Sequence, residues 1–167
     1  MKLTTLVTAL VLSLSLAACT TTKTNTGSGT EGTGTGIDSG MANNVSAEQA
    51  LRDEIARLQA EGKIVYFDYD SNTIRPEYNE ILAKHGQFLA QHPEQKLVIN
   101  GHTDERGSPE YNIGLGERRA KAVATILMSH GVQPSQIESV SYGEERPADE
   151  GHSEESWAQN RRAELMY

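Results

Sequence analysis

The seventeen positions from 20 to 36 read TTTKTNTGSGTEGTGTG and carry no apolar side chain, which narrows what this chain can fold into more than any other feature. Nothing in that run offsets the conformational entropy of ordering it, so it reads as a flexible tether and any packed core must lie beyond it. The GTGTG within it is not a dinucleotide loop, because no strand precedes it and no helix with a later acidic residue follows closely. Of the 167 residues, roughly one domain of about 100 residues is left to fold, an ordinary size for a single core.

Upstream of the tether the composition changes. Lys2 makes a sparse basic start, and residues 3–16 form an apolar stretch of Leu, Val, Ala, Ser and Thr too short to span a bilayer comfortably. Residues 1–18 therefore read as an export signal, closing on Leu16-Ala17-Ala18-Cys19, where small residues suit a peptidase and the single Cys of the chain follows directly. One Cys permits neither an intramolecular disulfide nor a Cys-based metal cluster. The tetrapeptide resembles the lipobox of bacterial lipoproteins. That resemblance implies an S-diacylglycerol and an N-acyl chain on Cys19, and more than one chain is what stable anchoring requires. Thr20 in place of an Asp after the Cys implies sorting to the outer membrane. The alternative is ordinary secretion with cleavage near Ala18.

With the signal removed, residues 19–45 form the lipidated Cys and a linker. Its random-coil reach is roughly 25–30 Å, with an extended limit of roughly 90 Å. The whole chain carries 15 Lys and Arg against 23 Asp and Glu, a net −8, and losing Lys2 with the signal makes it −9. That acidity excludes a nucleic-acid surface. It also favours a cationic or polar protein partner over an anionic lipid or polymer, so binding to an anionic ligand must rest on a few matched groups.

Periodicity orders the rest. Ser46 stands where a helix N-cap would, and Ala47, Leu51, Ile55 and Leu58 give an amphipathic helix over 46–62 that Gly62 ends. Residues 63–67 read as a buried strand. A helix follows Pro76 and stops at His92-Pro93, residues 96–100 form a second strand, and a helix over about 112–130 ends at Gly131. A strand over 137–141, a short helix over 153–159 and a strand over 162–167 complete an α-β-α-β-α-β-α-β order. We expect an α+β two-layer sandwich over 63–167, with helices on one face of a mixed four-stranded sheet.

Two polar clusters sit in its loops. Asp68-Tyr69-Asp70-Ser71-Asn72 imitates the opening of a calcium loop, yet Thr73 occupies the position that wants Gly and Asn79 the one that wants a bidentate Glu, so it reads as a strand-to-helix turn. The second is Gly101-His102-Thr103-Asp104-Glu105-Arg106-Gly107. His102 and Asp104 lack a third metal ligand at a recognisable spacing, and no G-x-S-x-G elbow exists. His102 reads as a structural residue.

In the following helix Leu115, Arg119, Val123 and Leu127 share one stripe, which aims Arg119 at the core, where a guanidinium needs an anion. Asp104 at the neighbouring strand end would pair with it. Three outcomes fit that spacing: a structural salt bridge, an Arg that snorkels to solvent, or a pocket whose cationic and anionic walls take a zwitterion.

The run from His102-Thr103-Asp104-Glu105-Arg106-Gly107 through Tyr111-Asn112, Leu115 and Arg118-Arg119-Ala120 resembles the T-D-x-x-G, N-x-x-L, R-A signature of OmpA-like peptidoglycan-binding domains. Asn160-Arg161-Arg162 resembles that family's N-R-R element. The resemblance implies non-covalent binding of the peptidoglycan stem peptide through its meso-diaminopimelate side chain, with Asp104 taking the ammonium and Arg119 the carboxylate. It implies further that Phe67, Asp68, Thr103, Asn112 and Leu115 line the site and that Arg161 supports it, with Arg118 exposed. Leu115-Gly116 departs from the family's L-S and predicts a looser backbone contact there. For lipid-anchored members the resemblance implies TolB of the Tol system as a partner, a link from outer membrane to wall, support of constriction at division, and no enzymatic turnover. The competing class is a periplasmic wall hydrolase using His102, Asp104 and Glu105.

Overall fold

The computed structural model describes the backbone from residue 39 and the side chains from residue 44, through Tyr167. The export signal, Cys19 and the tether up to residue 38 lie outside the described residues. Helix α1 spans Ser39–Glu61. Strand β1, Ile64–Tyr66, leads through a 3-10 turn at Pro76–Tyr78 into α2, Asn79–Gln91. Strand β2, Leu97–His102, and the long helix α3, Pro109–Ser129, come next. A second 3-10 turn at Pro134–Gln136 precedes β3, Ile137–Gly143, and the chain ends with α4, Glu154–Asn160, and β4, Arg162–Met166.

The strands form one mixed sheet in the order β1-β4-β2-β3. β4 runs antiparallel to both β1 and β2, while β2 and β3 are parallel. Along the strands Val65, Leu97, Ile99, Ala163 and Leu165 are buried, and their neighbours Ile64, Val98, Asn100 and Glu164 are less so. Period-two alternation thus gives the sheet one core face. On it lies α3, crossing β2 and β3, with α2 packed on α3 and α1 on α2. Leu82, Phe88 and Leu89 of α2 and Val123 and Leu127 of α3 close the core. The expected α+β sandwich, with helices on one face of a mixed four-stranded sheet, is the fold observed.

Helix α1 differs from expectation in two ways. α1 begins at Ser39, so positions 39–45, read as linker, belong to the helix, and Ser46 is interior to it and not its N-cap. Once a helix is nucleated each further residue adds one hydrogen bond, and no Pro or Gly interrupts positions 41–61. The second difference is contact: Ala47 is exposed with the rest of 44–50, and α1 packs on the core through Leu51, Ile55 and Leu58.

At Gly116 the structure overturns the predicted loosening. A Cβ at Gly101 would collide with the Gly116 carbonyl, and one at Gly116 would collide with Ser141 Oγ. The absent side chains let α3 touch β2 backbone to backbone, which tightens the contact. That seat fixes how far down the helix Arg119 meets the strand ends.

Candidate functional site

Because β4 is antiparallel to both β1 and β2, those two strands point the same way and end at one edge of the sheet. The residues after them, Phe67 to Asp70 and Thr103 to Gly107, therefore meet there, and Arg161 enters from the start of β4. Arg119, on the face of α3 that rests on the sheet, comes up beneath them. These elements enclose a cavity of about 90 Å³ lined by Tyr69, Asp70, Asp104, Arg106, Gly107, Tyr111, Leu115 and Arg119.

Arg119 is fully buried, at 0% exposure. Its guanidinium donates from Nε to Ser71 O at 2.8 Å, from Nη1 to His102 O at 2.7 Å and from Nη2 to Asp68 O at 3.1 Å. Its carbon stands 5.2 Å from the centre of the Phe67 ring. Three of the five N–H groups are thus spent on backbone carbonyls, leaving one on each Nη. Among the described residues no carboxylate lies within ion-pair distance of it. Burial pulls its pKa down to about 10, with Asp104 the main charge opposing that fall. A buried cation that lines a cavity and keeps donors in reserve is a receptor for an anion.

Asp104 lines the same cavity, but the expected direct Asp104–Arg119 pair is not formed. Arg106 takes the carboxylate instead: its Nη2 donates to Oδ2 at 2.6 Å, its Nε to Oδ2 at 3.3 Å and its backbone N to Oδ1 at 3.2 Å. Arg161 Nη1 adds a bond to Oδ2 at 3.3 Å. The physical reason is chain distance, since a residue two positions along the same loop reaches Asp104 at little entropic cost, whereas Arg119 is held by the strand-end carbonyls. Burial pushes the Asp104 pKa up, but the hydrogen bonds from Arg106 and Arg161 outweigh it and hold the carboxyl below the usual range.

The other predicted residues divide. Leu115 lines the cavity and Phe67 packs under Arg119. Asp68 serves through its carbonyl, while its carboxylate is exposed and faces Arg75 Nε at 3.5 Å. Arg161 braces the site by bonding Phe67 O, Asp104 and Glu154. Thr103 and Asn112 do not line this cavity. Thr103 borders a separate acidic cavity of about 280 Å³ with Glu105, Glu144 and Asp149, and buried Asn112 bonds Glu144. Arg118 is exposed, as expected.

Tyr69, Asp70, Arg106, Tyr111 and Trp157 were not legible as site residues. Tyr111 Oη donates to Asp70, which adopts the left-handed conformation with φ 50°. Arg106 was detectable in principle, because in an extended chain positions 104 and 106 face the same side. The trio His102, Asp104 and Glu105 does not assemble as a catalytic set. His102 stacks on Tyr142 with ring centres 5.4 Å apart, and Glu105 accepts from Trp157 Nε1 at 2.8 Å and lies the same distance from His152 Nδ1.

A family model described as the OmpA family matches residues 66–161. Over 124 residues the chain is 52% identical to the peptidoglycan-associated lipoprotein of Pseudomonas aeruginosa, covering 74% of this chain and 72% of that one. With the peptidoglycan-associated lipoprotein of Pasteurella multocida the identity is 52% over 110 residues, 66% of this chain and 73% of the relative. The crystal structure of the peptidoglycan-associated lipoprotein from Burkholderia pseudomallei superposes with a TM-score of 0.63 at 48% identity, covering 64% of this chain and 91% of that one. The C-terminal domain of Helicobacter pylori MotB shares the fold, with a TM-score of 0.57 at 23% identity over 63% of this chain and 83% of that one.

Proposed function

The chain belongs to the OmpA family, and from that premise we propose that it is an outer-membrane lipoprotein that holds peptidoglycan without turning it over. The carrying observation is the buried Arg119, which has no carboxylate in ion-pair range among the described residues and lines the same small cavity as Asp104. A cation and an anion on facing walls fit an amino-acid zwitterion. The end of the meso-diaminopimelate side chain in the wall's stem peptide is one, its carboxylate going to the free N–H groups of Arg119 and its ammonium to Asp104. The names of the relatives, peptidoglycan-associated lipoproteins, support the ligand and the anchor alike. Lipid on Cys19 and wall at the far end of the tether would join outer membrane to wall within the Tol system, with TolB as protein partner and a role in constriction at division.

The test is co-sedimentation of the detergent-solubilised full chain with purified sacculi, together with an assay for released muropeptides. Binding without release is expected. Release of muropeptides would establish a hydrolase and overturn the reading. Asp104→Asn, which keeps the shape and removes the charge, should abolish co-sedimentation with the far-ultraviolet circular dichroism unchanged; full binding by that folded variant would refute the pocket assignment. Cys19→Ala should leave the membrane fraction, and its persistence there would count against lipidation.

A further inference from the structure

Asp104, the proposed ammonium receptor, is already occupied by a cation of the chain itself. Arg106 covers it from the solvent side, its side chain 28% exposed against 5% for that of Asp104. The guanidinium is clamped between two aromatic rings, its carbon 3.9 Å from the centre of Tyr69 and 4.2 Å from that of Trp157. Glu154, largely exposed, stands 3.5 Å from Nη1 on the outer side. The second cation on Asp104, Arg161, is fixed: it is 8% exposed and tied to Phe67 O and Glu154 as well. Of the two guanidinium groups on this carboxylate, Arg106 is the more exposed and the one with room to move outward.

We infer that Arg106 is the specificity-determining residue of the site, an internal stand-in for the ligand's ammonium that must be exchanged out before Asp104 can bind. This inference rests on reading Asp104 and Arg119 as the stem-peptide pocket. In the ligand-free state three guanidinium groups, Arg106, Arg119 and Arg161, stand with three carboxylates, Asp70, Asp104 and Glu154, and Asp70 accepts from the Tyr111 hydroxyl. Arg106 thus covers Asp104 while, among the described residues, Arg119 carries no ion-paired carboxylate, so the cavity admits a carboxylate ahead of an amine. A simple amine meets a bound competitor on Asp104. A zwitterion offers its carboxylate to Arg119 first and so brings its ammonium against Asp104 at high effective concentration, where it displaces Arg106 toward Glu154. Arg106 in this way converts an acidic residue that would accept any amine into one that accepts an amine only beside a carboxylate, a case of specificity built from a repulsive element.

The single Trp of the chain, Trp157, makes the exchange visible, because Arg106 stacks on its ring. The experiment titrates the detergent-solubilised full chain with two muramyl tripeptides, one containing meso-diaminopimelate and one containing lysine in its place. Affinity is read by calorimetry and Trp157 emission in parallel. The wild type should bind the first peptide with a saturable change in Trp157 emission and bind the second at least tenfold more weakly. Arg106→Gln should bind the diaminopimelate peptide about tenfold more tightly, as expected for removal of a charge-assisted competitor, lose the emission change, and narrow the gap between the peptides. Wild-type binding with unchanged Trp157 emission would overturn the exchange while leaving the pocket reading intact. So would an Arg106→Gln variant that is folded but no tighter. If that variant fails to fold, the wild-type emission titration decides alone. Failure of the folded wild type to bind either peptide would overturn the pocket reading, and this inference with it.

Discussion

Lowering the pH from 8 to 5 is expected to cost the fold about 2 kcal/mol through His102 alone. The residue is 3% exposed, and among the described residues no partner meets hydrogen-bond geometry at either ring nitrogen. Burial above all, then the cations Arg162 and Arg146, lower its pKa from 6.5 to about 4, while Glu164 and the Arg146 backbone act weakly the other way. The unfolded chain takes up a proton near pH 6.5, and the folded one does not until near pH 4. Stability is therefore intact above the first value and is lost as the pH falls through the window between them. At ~1.4 kcal/mol per pH unit the full window is worth about 3 kcal/mol, of which about two-thirds has gone by pH 5.

Urea denaturation of wild type and His102→Phe at pH 8, 6 and 5 measures this. Phe keeps the ring and the stack on Tyr142 without the titrating nitrogens. His85, whose pKa burial also lowers, is present in both proteins and cancels in their difference. The variant should lose about 2 kcal/mol less than wild type between pH 8 and 5, and identical pH dependence in the two would refute a buried neutral imidazole. Only the His102 carbonyl touches Arg119, so the same variant should still co-sediment with sacculi. Loss of binding by the folded variant would return His102 to the list of functional groups.

Further expectations follow from single contacts. Arg119→Ala should lower stability by about 3 kcal/mol in urea titrations, because the carbonyls of Ser71, His102 and Asp68 lose their donor, and unchanged stability would mean these bonds carry no weight. Gly101→Ala should cost about 3 kcal/mol by driving a methyl group into the Gly116 backbone, read as a lowered urea midpoint or failure to accumulate folded protein. Tyr167→Phe removes the 2.8 Å bond to His85 Nδ1 and should cost about 1 kcal/mol; the same titration checks it.

The order of elements was legible because each carries its own period. The stripe of Leu115, Arg119, Val123 and Leu127 names the buried face of α3 before any packing is known, and all four are buried. The start of α1 was not legible, since Ser46 has the chemistry of a cap and only propagation of the helix through a Pro-free segment carries it back to Ser39. Asp104 and Arg119 could be placed at one site by the strand-end and helix-face logic, yet their partners could not. Which anion a guanidinium takes depends on whether nearer donors and acceptors have already claimed them, and that is a property of three loops meeting, not of spacing.

By itself, then, the amino-acid sequence determined where the core can lie, the alternation of helices and strands, and the presence of a buried cation near an acidic loop, because each follows from local composition and period. Only the tertiary structure decided that strand-end carbonyls hold Arg119, that Arg106 sits on Asp104 between Tyr69 and Trp157, and that Thr103 and Asn112 face elsewhere. Those outcomes turn on differences of an ångström among groups far apart in the chain, and no local pattern encodes them.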